Sequence, residues 1–307
     1  MQTSAVDSMP SFKKILVATD FSASSGAAFQ VALNLCNELG ANLSVLHVFE
    51  YADVVPPEAG GQLLELENTY EKAQHFLNDL LKRAKQVGVT CETFIESGVA
   101  PLTILEKAAS KNIDLVILGT NAIHGFERLV FGSTAEEVLR KAPCPVLTVG
   151  PRVLDAAVKI EGPVIFATDF NLETIHAIRY AASFGQMTGS SLHCLHVLPR
   201  MLESGVQSHV IPQIMTEALE HVATESGTTI KPSICVTTYG SEISNAIVDY
   251  ARKERAKLIV LGVRQASMVA SHVPAHIAYH IITEAPCPVM TVAFPSHSHA
   301  IRAAACL

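Results

Sequence analysis

Lys14-Ile15-Leu16-Val17-Ala18-Thr19-Asp20-Phe21 returns later in the chain as Pro163-Val164-Ile165-Phe166-Ala167-Thr168-Asp169-Phe170, an offset of 149 residues. Leu46-His47-Val48 returns at the same offset as Leu195-His196-Val197. Two further blocks repeat at an offset of 143. Asp114-Leu115-Val116-Ile117-Leu118-Gly119 matches Lys257-Leu258-Ile259-Val260-Leu261-Gly262, and Ala142-Pro143-Cys144-Pro145-Val146 matches Ala285-Pro286-Cys287-Pro288-Val289. Matched blocks in one order mark an internal duplication. The small change of offset falls where a loop and a helix absorb it. The expected domains are residues 1–150 and 151–307, with 151–162 as the linker.

Each copy alternates short apolar runs with helical patterns. In the first copy, 15–18, 43–48, 90–95, 115–118 and 146–149 are rich in Val, Ile and Leu and read as strands buried on both faces of a parallel sheet. Ala28, Val31, Ala32, Leu35 and Leu39 recur at helical spacing between the first two strands. Ser22, Ser24 or Ser25 is placed to cap that helix, and Gly40 to end it. Further helices are expected over 63–87, 102–111 and 133–141. The fold class is therefore α/β: two tandem, open, doubly wound Rossmann-like domains with five-stranded, mainly parallel sheets, in which ligands sit at the carboxyl ends of the strands.

Composition narrows the function. The chain has 307 residues, is 49% hydrophobic and carries a formal net charge of −7 without tryptophan. This argues against a nucleic-acid binder, which needs a basic patch or an aromatic stacking platform. No apolar run is long enough to suggest a membrane span. The seven cysteines form no CxxC pair, which fits reduced thiols in a cytoplasmic protein. Most are expected to be small buried hydrophobes, with Cys306 in the tail as the exception.

Asp20 lies where the first strand ends. Its carboxylate is placed to accept hydrogen bonds from ribose hydroxyls or an adenine amine, and equally to cap the next helix. Gly119 ends the fourth strand and opens a loop that contains Ala122 and Gly125. Gly132-Ser133-Thr134 then starts the last helix of the copy. Glycines let a backbone approach a phosphate, and the free N–H groups of a helix start favour an anion. The same residues also suit an ordinary turn with a serine at the helix start.

Taken together, ILVATDFS, LHV, and ILGT, FGST and APCPVLTV in this order resemble the universal stress protein family, over nearly the whole chain as two tandem domains. That family belongs with the adenine nucleotide α-hydrolase-like folds. Its ATP-binding members carry G-x2-G-x9-G-[ST] after the fourth strand. Here Gly119, Ala122 and Gly132-Ser133 fall on that spacing. The resemblance implies that Asp20, flanked by Ala18 and Thr19, and Val48 contact the adenosine part. It implies phosphate contacts from Gly119, Gly132, Ser133 and Thr134. Ala122 departs from the pattern by replacing a glycine, and Gly125 nearby supplies flexibility. The implied ligand is ATP, ADP or AMP, with Mg2+ as the cation that the phosphate charge draws.

The second copy keeps Asp169, Val197 and Gly262, but Ala275 and His276 stand at the Gly-Ser positions, directly after Pro274. One nucleotide per chain is expected, in the first copy. His272, His276 and His280 have i, i+4 spacing that suits a metal, although packed or solvated histidines have the same spacing. Two other readings compete. One is a scaffold without nucleotide. The other is a slow ATP-hydrolysing enzyme, for which neither an SGGxDS signature nor a Walker A motif is present. The loop 51–61, with Pro56, Pro57, Gly60 and Gly61, is expected to act as a lid. The last strand of each copy has an apolar edge, so intramolecular pairing of the domains and a homodimer are expected.

Overall fold

The computed structural model describes residues 9–49, 62–120, 132–153, 161–171, 175–199, 210–225, 234–264 and 272–294. Ala122, Gly125, the expected lid 51–61 and Cys306 lie outside them, as do the side chains of His272 and His276. The chain divides into two compact units, and the described residues of the first run from Phe12 to Val149. The second unit comprises the described residues 9–11 and those from Gly150 onward.

The first unit runs β1 (Lys14–Ala18), α1 (Ala23–Leu39), β2 (Asn42–Phe49), α2 (Gln62–Gln86), β3 (Cys91–Ser97), α3 (Ala100–Ser110), β4 (Leu115–Gly119), α4 (Ser133–Lys141) and β5 (Val146–Val149). Its strands lie in the order β3-β2-β1-β4-β5, and every pairing is parallel. Parallel neighbours need a crossover between them, and each helix supplies one. Strands therefore run in one direction, and all their carboxyl ends fall on one edge. The connection after β1 goes to β2 on one side, while β4 pairs on the other. The switch point lies between β1 and β4, and a crevice opens there.

The second unit repeats this plan with β6 (Val164–Ala167), α5 (Ile178–Thr188), β7 (Leu192–Pro199), α6 (Val210–Glu225), β8 (Ile234–Gly240), α7 (Ile243–Lys253), β9 (Leu258–Arg264), α8 (His272–Glu284) and β10 (Val289–Phe294). The strand order is β8-β7-β6-β9-β10, again all parallel. The unbroken Val, Ile and Leu runs are explained by this burial: Ile15, Leu16, Val17, Leu115, Val116 and Ile117 have no exposed surface. Each such side chain contributes about 1.5–3 kcal/mol by leaving water. Among the described residues no helix is long and apolar enough to cross a membrane.

Of the three candidate caps of α1, Ser22 is the one used, its hydroxyl accepting from the Ser25 amide at 3.3 Å. At the other end Gly40 closes the helix at φ 60°, a left-handed conformation natural to glycine.

Candidate functional site

The turn after β1 is built from its own side chains. The Thr19 amide donates to the Leu46 carbonyl at 2.9 Å, extending the β1–β2 ladder by one residue. The chain then reverses through Phe21 at φ 62°, a left-handed conformation that costs a non-glycine residue about 1–3 kcal/mol. Three contacts hold it. The Phe21 amide donates to Thr19 Oγ1 at 3.0 Å. The Ser22 amide donates to Asp20 Oδ1, also at 3.0 Å. The Phe21 ring packs on the His47 ring at a centroid distance of 4.4 Å. His47 Nδ1 lies 2.8 Å from the Thr19 carbonyl. A carbonyl only accepts, so this nitrogen carries the proton.

Asp20 is therefore part of the turn without being the cap. Its carboxyl is exposed, with one oxygen engaged by the turn. Partial desolvation raises its pKa, but hydrogen bonds from Ser22 and Ser25 outweigh that and hold it below the usual carboxylate range. A lowered folded pKa means stability that is present above the unfolded value of about 4 and lost as pH falls through the folded one. Denaturant titrations of the chain and of Asp20→Asn are thus expected to differ at neutral pH and to converge in acid. A difference that persists well below pH ~3 contradicts this assignment.

The second unit makes the same turn. Phe170 sits at φ 61°, its amide 3.0 Å from Thr168 Oγ1, and His196 Nδ1 lies 2.8 Å from the Thr168 carbonyl. The turn is common property of both copies and does not by itself distinguish a ligand site. The histidines were visible in the repeated Leu-His-Val blocks, but their function as latches was not. His47→Phe keeps the ring contact and removes the hydrogen bond. The expected cost is about 1 kcal/mol in a urea titration, with His196→Phe costing about the same. An effect at one histidine only contradicts equal latching.

The two copies part at their last helices. In α4, Gly132 is the N-cap at φ −60° and ψ 134°, and its carbonyl accepts the first helical bond, from the Glu136 amide at 3.0 Å. The amides of Gly132, Ser133, Thr134 and Ala135 consequently have no acceptor within the helix, and Gly132 has no side chain to cap them. Because α4 follows β4, this end of the helix stands on the carboxyl edge of the sheet, with Asp20, Val48 and Gly119. Among the described residues, a Cβ on Gly132 meets nothing within 4 Å. Glu136 adds a negative charge to the first turn, and Arg140 neutralises it at 2.8 Å. The arrangement suits an anion: four amides without a helical acceptor at the positive end of a helix dipole.

Gly119 has a different reason to be glycine. A Cβ there lies 2.2 Å from the Ser24 carbonyl oxygen and 2.7 Å from the Ser25 amide nitrogen. The start of α1 presses on the end of β4, and only a residue without a side chain permits the approach. Gly119 thus positions two elements of the site.

In the second unit α8 begins at His272, and Pro274 sits in its first turn, where its missing N–H costs no helical bond. Ala275 and His276, the counterparts of Gly132 and Ser133, are already inside the helix. At the fourth and fifth helical positions they stand past the orphan amides of the helix start. The cradle of the first unit is wound shut in the second.

Comparison with known proteins accounts for both units. The model of the Universal stress protein family matches residues 11–150 and 162–293. A universal stress protein of Methanocaldococcus jannaschii is 36% identical over 140 residues, covering 45% of this chain and 82% of that protein. One of Bacillus subtilis is 32% identical over 146 residues, covering 45% and 99%. The crystal structure of a universal stress protein from Archaeoglobus fulgidus superposes with a TM-score of 0.69 at 21% identity, over 91% of this chain and 97% of that one. With the family pattern present in each half, and the doubly wound fold in each unit, the chain belongs to the universal stress protein family.

Proposed function

We propose that the first domain, residues 1–150, binds one adenine nucleotide and that the second, residues 151–307, is its degenerate counterpart. The observation that supports this reading is the start of α4, whose first amides have no helical acceptor and where, among the described residues, nothing lies within 4 Å of a Cβ on Gly132, against a helix already wound at Ala275 and His276 in the second unit. In this reading the phosphates sit on Gly132, Ser133 and Thr134, with Gly119 at the end of β4. Ala122 and Gly125 belong to the loop between them. The Ala18-Thr19-Asp20 turn and Val48 flank the nucleoside, with Asp20 accepting from its hydroxyls.

The ligand is ATP, ADP or AMP, with Mg2+ accompanying the phosphates. Turnover is slow, since binding is supplied by backbone amides and the sequence carries no Walker A lysine to neutralise a γ-phosphate. The role that follows is nucleotide sensing in a cytoplasmic stress response. The test is nucleotide released by acid from the purified full chain and identified by chromatography, followed by calorimetric titration of the stripped protein with ATP, ADP and AMP. One adenine nucleotide per chain is expected. Saturation at about 100 times Kd should add about 2.7 kcal/mol to stability. Failure of all three nucleotides to bind overturns the reading.

A further inference from the structure

Cys194 on β7 and Cys235 on β8 are partners in the parallel register of these strands. They lie 41 residues apart in sequence and directly opposite one another in the sheet. Paired strands are about 4.8 Å apart, a spacing within the Cα separation of about 4.4–6.8 Å usual for a disulfide. The same register positions in the first unit are Val45 and Thr93, so this pair belongs to the second copy alone.

The two thiols stand in different surroundings. Cys194 is fully buried, whereas Cys235 is partly exposed on the strand at the end of its sheet. Helix α6 lies over that strand and brings Thr216, itself exposed, so that its Oγ1 is 3.8 Å from Cys235 Sγ. The same hydroxyl also reaches the Pro212 carbonyl at 2.9 Å, so its proton is divided between two acceptors. The neighbouring Cys194 thiol and the Thr216 hydroxyl favour the Cys235 thiolate and lower Cys235 to about 6 despite partial burial. Cys194, as donor and fully buried, is raised well above its ordinary value. One sulfur is thus reachable and disposed to ionise, and the other is a buried thiol opposite it in the register, the arrangement of an attacking and a resolving cysteine.

We propose that Cys194 and Cys235 form a peroxide-oxidisable dithiol in the second domain, closing to a disulfide that joins β7 to β8. The Cys235 thiolate attacks one oxygen of hydrogen peroxide and the O–O bond breaks. Cys235 becomes a sulfenic acid, and the departing hydroxide takes a proton to leave as water. Cys194 sulfur then attacks the Cys235 sulfur. The S–S bond forms, the S–O bond breaks, and the hydroxyl leaves as water with the Cys194 proton. Two thiols lose two electrons and one peroxide is reduced to two waters. The disulfide would fasten the end strand of this sheet to its neighbour and close the loop that carries α6.

The test uses the full chain, reduced, treated with hydrogen peroxide, alkylated and mapped by peptide mass spectrometry. A cross-linked pair containing Cys194 and Cys235 is expected, lighter by two hydrogens than the two thiol peptides and released by a dithiol reductant. Cys36, Cys144 and Cys287 should remain alkylatable after denaturation. Cys194→Ser should trap Cys235 as a sulfenic acid that reacts with dimedone. The wild-type map stands without the variant if that variant does not fold. Recovery of Cys194 and Cys235 as free thiols after peroxide overturns the proposal, and so does Cys235 linked only to a cysteine of another chain.

Discussion

Replacing Gly132 with valine is expected to abolish nucleotide binding while leaving the protein folded. The backbone at Gly132 has φ −60°, which any residue adopts, and an added Cβ meets no atom of the described residues within 4 Å. The folding cost is confined to cap preference, about 1 kcal/mol between glycine and a branched side chain. The methyl groups would instead fill the space from which the Gly132 and Ser133 amides reach a phosphate. A hydrogen bond to a charged group contributes about 1.5–3 kcal/mol, so losing two weakens binding by on the order of 100-fold or more. Circular dichroism and a thermal melt establish that the variant is folded, and calorimetry then reads the loss. A His276 substitution serves as the counterpart: its amide is already within α8, so affinity and a stoichiometry of one per chain should not change. Full-affinity binding by a folded Gly132→Val chain, or two equivalent sites in the parent, contradicts the site placed at α4.

Gly119→Ala is expected to have the opposite profile, with stability lost first and binding lost as a consequence. A Cβ 2.2 Å from the Ser24 carbonyl oxygen cannot be relieved by a rotamer change, because its neighbours are backbone atoms at the start of α1. Either α1 shifts or β4 does, and β4 is paired on both sides, with β1 and β5. Overpacking of this kind costs about 3 kcal/mol or more. That corresponds to a fall in melting temperature on the order of 10 °C for a unit of this size. Gly132→Ala under the same conditions should melt within a few degrees of the parent, since only the cap preference is lost. The comparison separates two glycines that look alike in sequence. A Gly119→Ala chain as stable as Gly132→Ala refutes the close approach of α1 and β4.

The duplicated blocks and the unbroken Val, Ile and Leu runs already specify the fold. A run buried on both faces belongs to a parallel sheet, and helices between successive runs leave only the doubly wound arrangement. The start of α4 at Ser133 and the glycine end of α1 were legible for the same reason: caps and periodicity act over a few neighbouring residues. Residues that act across the sheet were not legible. Nothing local says that Gly119 is bare because α1 lies on it, since the clashing atoms belong to Ser24 and Ser25, nearly a hundred residues earlier. His47 could be seen to repeat as His196, yet its bond to the Thr19 carbonyl exists only once β1 and β2 are paired. Cysteine spacing pointed to isolated thiols, and Cys194 and Cys235 meet because strand register, which links residues distant in the chain, places them opposite one another. Local pattern selects elements and their order, because each residue there answers to its near neighbours. Contacts between elements depend on register and helix seating, which arise only when the whole sheet has closed around its core.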